Sequence, residues 1–151
     1  MQLGKHLFRP IRGSMQRERC LMRILFIEDD PMNMRVVRDM LFVAGLPLAE
    51  ANGGRSGIAR LEREEFDVVL LDLRMPAMDG FEVIRALRGR DDELKNMPII
   101  VVTADASPGL EDECLETGAD AVLFKPIAMQ SLFDSIAAIV VERSDPDSRI
   151  G

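Results

Sequence analysis

The sequence predicts an α/β fold in which a parallel sheet of five strands is covered by helices on both faces. Five short apolar runs alternate with five stretches in which apolar residues recur at the spacing of a helix. The apolar runs are continuous, which is typical of strands buried on both faces of a sheet. Strands that alternate with helices are joined by right-handed crossovers, so they lie parallel and the helices cover both faces.

The predicted strands are short apolar runs that follow one another at regular intervals. They are Ile24–Ile27, Pro47–Ala51, Val68–Leu71, Ile99–Val102 and Ala121–Phe124. The run from Val68 is the clearest buried strand, and the run from Pro47 is the weakest. Pro98 introduces the fourth strand. No second set of strands follows the fifth, so the pattern indicates one sheet.

The predicted helices are recognised by apolar side chains three or four residues apart. In chain order these are Met34, Val37, Met40 and Leu41; Ile58 and Leu61; Phe81, Ile84 and Leu87; Leu110, Cys114 and Leu115; and Leu132, Phe133, Ile136, Ile139 and Val140. Local signals mark several ends: Asp30 before Pro31 predicts an N-cap, and Gly118 ends the fourth helix. The third helix follows Asp79-Gly80.

Length and composition fit one domain of this kind and exclude several functions. The chain has 151 residues, 47% apolar and 30% charged, enough for a buried core. A net charge of −7 argues against a surface that coats nucleic acid, and no apolar run approaches the roughly 20 residues of a membrane span. The chain has only two cysteines, Cys20 and Cys114, and one histidine, His6. These are too few for a disulfide framework, a multi-histidine metal site or a serine–histidine–aspartate triad. The cysteine usage is typical of a reducing cytosol.

Both ends of the chain differ from the middle. Residues 1–21 carry five basic side chains against one acidic side chain, without a secretory signal, and a disordered tail is expected there. A docking role for this segment is the alternative. Residues 22–142 form the predicted domain, and the polar residues 143–151 form a predicted C-terminal tail. No output domain is expected after it.

Polar side chains follow four of the five strands, at the edge where parallel sheets gather ligands. Glu28 and Asp29 come directly after the first strand, and Asp72 follows the third. Thr103 follows the fourth strand and Lys125 the fifth. Clustered carboxylates repel one another, so a cation is expected among them, and Mg²⁺ with its oxygen ligands suits the cluster. An ammonium and a hydroxyl suit a phosphoryl group, which a carboxylate nucleophile can accept as an acyl phosphate.

Four motifs at these strand ends resemble the receiver domain of two-component response regulators. They span most of residues 23–142 and read ILFIEDD at 24–30, LLDLRMPAMDG at 70–80, IIVVTA at 99–104 and FKP at 124–126. The resemblance implies a flavodoxin-like fold with strand order 2-1-3-4-5. It also implies that Asp72 accepts a phosphoryl group from a histidine kinase or histidine phosphotransfer protein, while Thr103 and Lys125 bind the phosphoryl oxygens.

The resemblance further implies a metal site and one backbone feature. Asp29 would bind Mg²⁺ directly and Glu28 through water, with Asp72 and the backbone carbonyl of Arg74 completing the protein ligands. Mn²⁺ would substitute for Mg²⁺. A cis peptide bond is expected between Lys125 and Pro126, since the bond before a proline alone makes that geometry accessible.

Two positions depart from the family pattern. Val122 stands three residues before Lys125, where the family often has an aromatic side chain that rotates inward on activation. A β-branched side chain has few rotamers, so the switch is expected to depend more on the loop 104–109. Glu28 replaces the commoner aspartate, a mild change because a longer carboxylate still reaches a metal-bound water.

Arg74 and Asp105 each lie two residues beyond a strand-end site residue, so both are expected to flank the phosphoryl group. An ion pair between them would screen attacking water and lengthen the life of the phosphate. The alternative is two solvated side chains with no mutual contact. Exposed ion pairs are weak, so an effect of at most a few-fold is expected.

These features together predict a phosphoacceptor signalling switch in the bacterial cytoplasm. It would act as a stand-alone receiver, monomeric or dimerising on phosphorylation, whose helix 4, strand 5 and helix 5 face binds a downstream protein. No nucleic-acid or membrane partner is expected, and no enzymatic turnover beyond its own phosphorylation and dephosphorylation. A receiver excised from a hybrid histidine kinase is the closest alternative.

Two further alternatives use related chemistry or the same fold. An aspartyl-phosphate phosphatase generally needs a second carboxylate two residues after its nucleophile, where this chain has Arg74, and a substrate-covering cap. A flavodoxin-like cofactor binder needs a phosphate-binding loop after the first strand. Here Glu28, Asp29 and Asp30 would repel a phosphate unless a metal intervened.

Overall fold

The computed structural model describes residues 22–144 of the chain. The predicted disordered segment 1–21, with His6 and Cys20, and the end of the chain from residue 145 lie outside the described residues. The strands are β1 (Ile24–Ile27), β2 (Leu48–Ala51), β3 (Val68–Asp72), β4 (Ile99–Thr103) and β5 (Ala121–Phe124). The helices are α1 (Pro31–Val43), α2 (Gly54–Arg63), α3 (Gly80–Arg88), α4 (Leu110–Thr117) and α5 (Met129–Ser144).

The five strands form one parallel sheet in the order β2-β1-β3-β4-β5, which confirms the expected fold. Ile24 at the start of β1 lies opposite Leu48 of β2 and Val68 of β3, so these three strands are in step. Counted outward from β1, the sheet ends at β2 on one side and continues through β3 and β4 to β5 on the other. The carboxyl ends of β1 and β3 are therefore neighbours at the point where the direction of winding reverses, which is where such sheets bind ligands.

Each face of the sheet carries its own apolar layer. Leu25 and Ile27 of β1 face the layer of α2, α3 and α4, whereas Ile24 and Phe26 face the layer of α1 and α5. All four side chains are buried, because helices cover both sides of the strand. This double burial explains why the strands read as continuous apolar runs rather than as alternating ones.

Several boundaries differ from the sequence expectation. Asp72 and Thr103 end their strands rather than following them, because their backbones still pair with Val102 and Phe124. A short 3₁₀ helix at Glu93–Asn96 was not predicted. Helix α5 continues to Ser144, two residues beyond the predicted end of the domain. No helix within residues 22–144 combines the length and apolar character that crossing a bilayer requires.

Side-chain caps position the helices that flank the site. Asp30 caps α1, since its carboxylate accepts a hydrogen bond of 2.9 Å from the backbone N–H of Met32, which confirms the predicted cap. Asp79 and Glu82 form a reciprocal capping box at the start of α3, with hydrogen bonds of 3.0 and 3.1 Å. Both caps hold their helix N-termini close to the carboxyl ends of β1 and β3.

Candidate functional site

Three carboxylates meet where β1 and β3 end. One oxygen from each of Glu28, Asp29 and Asp72 lies within 4.8 Å of the others. Glu28 is 2% exposed and Asp72 is 4% exposed, whereas Asp29 is open to solvent. Three like charges at this separation destabilise one another, and a hard divalent cation with oxygen ligands would relieve the repulsion. The donor set therefore fits Mg²⁺.

The sheet itself fixes the position of Glu28. Its backbone N–H donates a 3.0 Å hydrogen bond to the carbonyl of Ala51, so Glu28 extends the pairing of β1 with β2 by one residue. Asp72 is the last residue of the adjacent strand β3. Two rigid neighbouring strands thus hold the two buried carboxylates, which limits how far either can move away from the other.

Lys125 lies between the two buried carboxylates. Its Nζ donates to Glu28 Oε1 at 2.9 Å and to Asp72 Oδ1 at 3.3 Å. The peptide bond from Lys125 to Pro126 is cis, as expected, and the backbone N–H of Lys125 donates to the carbonyl of Thr103 at 2.8 Å. The end of β5 is therefore tied to the end of β4, with the ammonium group facing the carboxylates.

Burial and neighbouring charges shift the pKa values of Glu28 and Lys125. Burial raises the pKa of Glu28 to about 7, against the opposing effect of the hydrogen bond from Lys125, and the nearby charge of Asp72 raises it further. Burial works to lower the pKa of Lys125, but its hydrogen bond to Glu28 and the charge of Asp72 outweigh that effect and raise it. Lys125 therefore remains an ammonium ion, and Glu28 is the carboxylate whose charge responds to pH near neutrality.

Thr103 is fully buried at the end of β4. Its hydroxyl oxygen accepts a 3.1 Å hydrogen bond from the backbone N–H of Asp105, which anchors the start of the β4–α4 loop. The hydroxyl proton remains available to an acceptor at the strand edge. The structure thus places Thr103 beside Lys125 through the backbone contact between their strands.

Arg74 and Asp105 form an ion pair across the β3–α3 and β4–α4 loops. Asp105 also accepts hydrogen bonds from the backbone N–H of Ser107, at 3.0 Å, and from its hydroxyl. The hydrogen bond from the Ser107 hydroxyl, followed in size by that from Arg74, lowers the pKa of Asp105 to about 2. Asp105 is therefore ionised at neutral pH. Of the two arrangements that the sequence left open, the structure shows the paired one.

Two residues that help to build the site were not singled out from the sequence as site residues. A Cβ atom on Gly80 would lie 2.7 Å from the carbonyl oxygen of Asp72 and 2.8 Å from Cα of Leu73, so only glycine lets α3 begin this close to the end of β3. Ser107 orients Asp105 through the contacts above. The sequence signals were the Asp79-Gly80 pair and the D-x-S spacing, both of which read as ordinary turn chemistry.

Comparison with known proteins identifies the class to which this fold and site belong. The family model described as "Response regulator receiver domain" matches residues 24–137. The polar-differentiation response regulator DivK of Brucella anthropi is 30% identical over 113 residues, which are 75% of this chain and 91% of DivK. The sensor histidine kinase RcsC of Salmonella typhi is 34% identical over 116 residues, 77% of this chain, but the match spans only 12% of that protein.

Solved structures agree with the sequence relatives. The chemotaxis protein CheY4 of Vibrio cholerae has a TM-score of 0.71 at 30% identity, with 78% of this chain and 98% of CheY4 covered. The receiver domain of the sensor histidine kinase PA1611 of Pseudomonas aeruginosa has a TM-score of 0.72 at 30% identity, with 80% and 98% covered. That structure holds a magnesium ion coordinated in its active site cleft.

The fold and the acidic strand-end site define a receiver module of two-component signalling. The chain belongs to the response regulator receiver domain family. Receiver domains bind Mg²⁺ at an acidic pocket and interact with histidine kinases or phosphotransfer proteins. Glu28, Asp29 and Asp72 form such a pocket here.

Proposed function

We propose that this chain is a phosphoacceptor switch in which Asp72 receives a phosphoryl group from a histidine kinase or a histidine phosphotransfer protein. One observation carries the proposal: Lys125 Nζ contacts Asp72 Oδ1 at 3.3 Å inside a carboxylate cluster suited to Mg²⁺. A carboxylate held between an ammonium and a metal position can attack phosphorus while the charge on the phosphoryl oxygens is neutralised. The proposed setting is the bacterial cytoplasm, and a downstream protein reads the phosphorylated state on the face formed by α4, β5 and α5.

The proposed reaction is an in-line displacement. A carboxylate oxygen of Asp72 forms a bond to phosphorus as the bond from phosphorus to the donor's imidazole nitrogen breaks, and the product is an acyl phosphate. Bound Mg²⁺ would supply positive charge to the transferring group. Lys125 gives up its contact with Asp72 to bind a phosphoryl oxygen, and the Thr103 hydroxyl donates to another. We propose no turnover of a separate substrate.

Acetyl phosphate with Mg²⁺, followed by intact mass, tests the acceptor. The unaltered chain should gain one phosphoryl group, and Asp72→Asn should gain none, because the amide has nearly the same shape but is a poor nucleophile. Asp30→Asn is the matched control: Asp30 is adjacent to the cluster, yet its role is the α1 cap, which asparagine also fills. Full labelling of the Asp72→Asn protein would place the acceptor elsewhere and overturn the proposal.

Mg²⁺ titration tests the proposed ligand roles. Asp29 is open to solvent, whereas Glu28 is engaged by Lys125 at 2.9 Å, which fits direct binding by Asp29 and binding through water by Glu28. The Arg74 carbonyl is the proposed backbone ligand, and Mn²⁺ is proposed to substitute for Mg²⁺. Asp29→Asn should weaken Mg²⁺ binding more than Glu28→Gln. The reverse order would contradict these roles.

A second candidate is the same receiver chemistry within a hybrid histidine kinase. It is supported by the similarity to RcsC and to the sensor protein GacS of Pseudomonas syringae. GacS is 33% identical over 112 residues, and the match spans only 12% of that protein. An antibody raised against the folded domain would separate the two. A native polypeptide of the 151-residue size supports the stand-alone switch, and a much longer one supports the hybrid kinase.

A further inference from the structure

Helix α4 presents acidic side chains to solvent. The helix has no basic residue, and four of its exposed side chains are acidic: Glu111, Asp112, Glu113 and Glu116. Glu113 is close enough to Arg74 to raise the pKa of that guanidinium, behind the larger effect of Asp105. None of the other three carboxylates takes part in an ion pair within residues 22–144. The helix dipole favours acidic groups in the first turn but not Glu116 in the last turn, so it does not account for the whole set.

Two exposed apolar side chains accompany these carboxylates. Leu115 of α4 is 41% exposed, and Phe124 at the end of the edge strand β5 is 39% exposed. Phe124 faces the same side of the sheet as Val122, which packs against the layer of α2, α3 and α4, because side chains two residues apart in a strand share a face. Apolar contact and unpaired negative charge are thus combined here. We refer to this set as the acidic α4 surface: Glu111, Asp112, Leu115, Glu116 and Phe124.

The N-terminal segment of the same chain is complementary to this surface. The whole chain has a net charge of −7, although residues 1–21 carry five basic side chains against one acidic side chain. Residues 3–12 read LGKHLFRPIR, in which basic residues alternate with the apolar residues Leu7, Phe8 and Ile11. Opposite charges attract, and the apolar residues supply the contact that Leu115 and Phe124 lack. The sequence left a docking role open for this segment, and the acidic α4 surface offers a site for it.

The length of the chain before β1 is sufficient to reach α4. Met22 is buried in the layer of α1 and α5 at the amino-terminal edge of β1. Helix α4 lies between β4 and β5 in the chain, so it returns to this edge and Leu115 lies close to it. Three strand spacings separate β1 from β5, about 14 Å, and the path crosses one helix layer of about 10 Å. The ten residues from Arg12 to Met22 span up to about 33 Å, which exceeds that path.

Carboxylates elsewhere in the described domain are poorer sites for the segment. Those near the amino-terminal edge are held by arginines, in the ion pairs Arg60–Glu64, Arg90–Glu62, Arg90–Asp92 and Arg88–Asp120. At the opposite edge, Lys125 holds Glu28 and Asp72. A cationic segment would have to displace these partners, whereas it would pair with the α4 carboxylates at no such cost.

We propose that residues 3–12 dock on the acidic α4 surface of their own chain. The basic side chains of the segment pair with the α4 carboxylates, and its apolar side chains cover Leu115 and Phe124. This surface is part of the face on which we propose that a downstream protein reads the phosphorylated state, so the regulatory meaning of the inference rests on the proposed function. The docked segment competes with that protein, which must displace it in order to bind.

Carbodiimide crosslinking of the unphosphorylated full-length chain, without Mg²⁺ and at about 10 µM, tests the contact. The reagent joins an amine directly to a carboxylate, without a spacer. Peptide mapping of the monomeric product should find Lys5 joined to Glu111, Asp112 or Glu116. The contact forms within one chain at an effective concentration in roughly the millimolar range, so dilution should not remove it. Crosslinks from Lys5 only to carboxylates outside α4, or only between two copies, would overturn the proposal.

Matched charge reversals show which part of the segment docks. Arg9→Glu combined with Arg12→Glu should abolish the crosslink from Lys5 to α4, because like charges would then meet at the surface. Arg17→Glu combined with Arg19→Glu is the control: it changes the net charge of the chain by the same amount but lies outside the docking residues. The crosslink should persist in the control. Equal loss in both double variants, or persistence in both, would overturn the proposal.

Competition by a synthetic peptide of residues 1–14 tests whether the surface is occupied. Followed by NMR, the peptide should shift the backbone amide signals of α4. It should bind the Arg9→Glu, Arg12→Glu chain about tenfold more tightly than the unaltered chain, whose own segment competes. Equal affinity for the two chains, or shifts only outside α4, would contradict the docking.

The two proposals fail separately. Crosslinking and peptide binding need neither phosphate nor Mg²⁺, so a chain whose Asp72 accepts no phosphoryl group would refute the proposed function and leave the docking results unchanged. A chain that is phosphorylated normally but shows no contact between Lys5 and α4 would refute the docking alone.

Discussion

Lys125 and Glu28 show how a single residue pair sets the electrostatics of the site. The ammonium lies closer to Glu28, at 2.9 Å, than to the proposed acceptor Asp72, at 3.3 Å. Glu28 is also the more deeply buried carboxylate. The resting contact therefore stabilises Glu28 more than Asp72, and leaves Asp72 the carboxylate from which Lys125 is more easily released.

The buried Glu28 should make the metal-free protein less stable as pH rises. Its pKa is about 7 when folded against 4.5 as the reference value, so between these values the folded state holds a proton that the unfolded state loses. Stability contributed by this proton is fully present below about pH 4.5 and is lost as pH rises through about 7. We expect a loss of up to about 1.4 kcal/mol per pH unit within that window.

Urea unfolding at several pH values between 5 and 8, in a chelator, measures this effect. The Glu28→Gln protein should lack most of the slope, because glutamine does not titrate. If the Glu28→Gln protein shows the same slope as the unaltered chain, a different group is responsible. Asp105, with its pKa near 2, does not titrate in this window and adds no slope there.

The Arg74–Asp105 pair gives a residue-scale prediction about phosphate lifetime. The structure shows the pair, but the side chain of Arg74 is largely exposed, and exposed pairs are weak. Arg74→Ala and Asp105→Ala should therefore each accelerate dephosphorylation by at most a few-fold. The double variant should be no faster than the faster single variant, because the pair acts as a unit. If the two effects multiply instead, the residues are uncoupled and the pair does not screen water.

At the scale of elements, the start of α3 supports the proposed acceptor. The Asp79–Glu82 capping box fixes the helix N-terminus, and the N–H of Gly80 donates to the carbonyl of Leu73 at 2.9 Å. Leu73 immediately follows Asp72. Helix α3 therefore braces the end of β3 through its first turn as well as through its apolar face.

Removing this cap should lower the stability of the fold but leave the residues of the proposed phosphorylation site in place. Asp79→Ala is expected to lower the free energy of unfolding by about 1 kcal/mol, since a backbone N–H at the helix start loses its acceptor. Asp79→Ser should recover most of the loss, because serine is also a good N-cap. Urea unfolding measures both. Equal stability of the alanine and serine variants would show that the capping hydrogen bond is not what matters at this position.

Helix α4 and strand β5 form the region where the switch departs from the family pattern. Val122 is half-buried and packs against the apolar layer of α2, α3 and α4. Gly109, at φ +83°, precedes α4 in a conformation that favours glycine. Dependence of the switch on the loop 104–109, in place of an aromatic residue at position 122, stays a prediction.

For the whole molecule, metal binding and folding should be coupled. The proposed Mg²⁺ site is the assembled carboxylate cluster, which the unfolded chain lacks, so Mg²⁺ should raise the midpoint of thermal unfolding by mass action. Asp72→Asn removes one of three crowded charges, so it should raise the midpoint of the metal-free protein and reduce the further rise caused by Mg²⁺. Scans with and without Mg²⁺ measure both effects. A lower metal-free midpoint for Asp72→Asn would contradict the repulsion argument.

Much of the fold followed from the sequence because its signals are local. Continuous apolar runs such as Val68–Leu71 indicate buried strands, and Asp30 before Pro31 marks a helix start whose cap the structure confirms. The general rule that parallel strands gather ligands at their carboxyl ends was enough to expect Glu28, Asp29 and Asp72 together. The cis bond before Pro126 came from the family resemblance instead, since nothing local distinguishes it.

Other features depend on contacts between residues distant in the chain, and only the tertiary structure decided them. Lys125 lies 97 residues from Glu28, and spacing alone does not say which carboxylate it approaches more closely. Asp29 and Glu28 are neighbours, yet one is open and the other buried, because burial depends on which helices cover the strand end. The helical period of α1 predicted its buried side, but the exposure of Met32, Val36 and Val43 appears only once the rest of the described domain is packed and leaves that side uncovered.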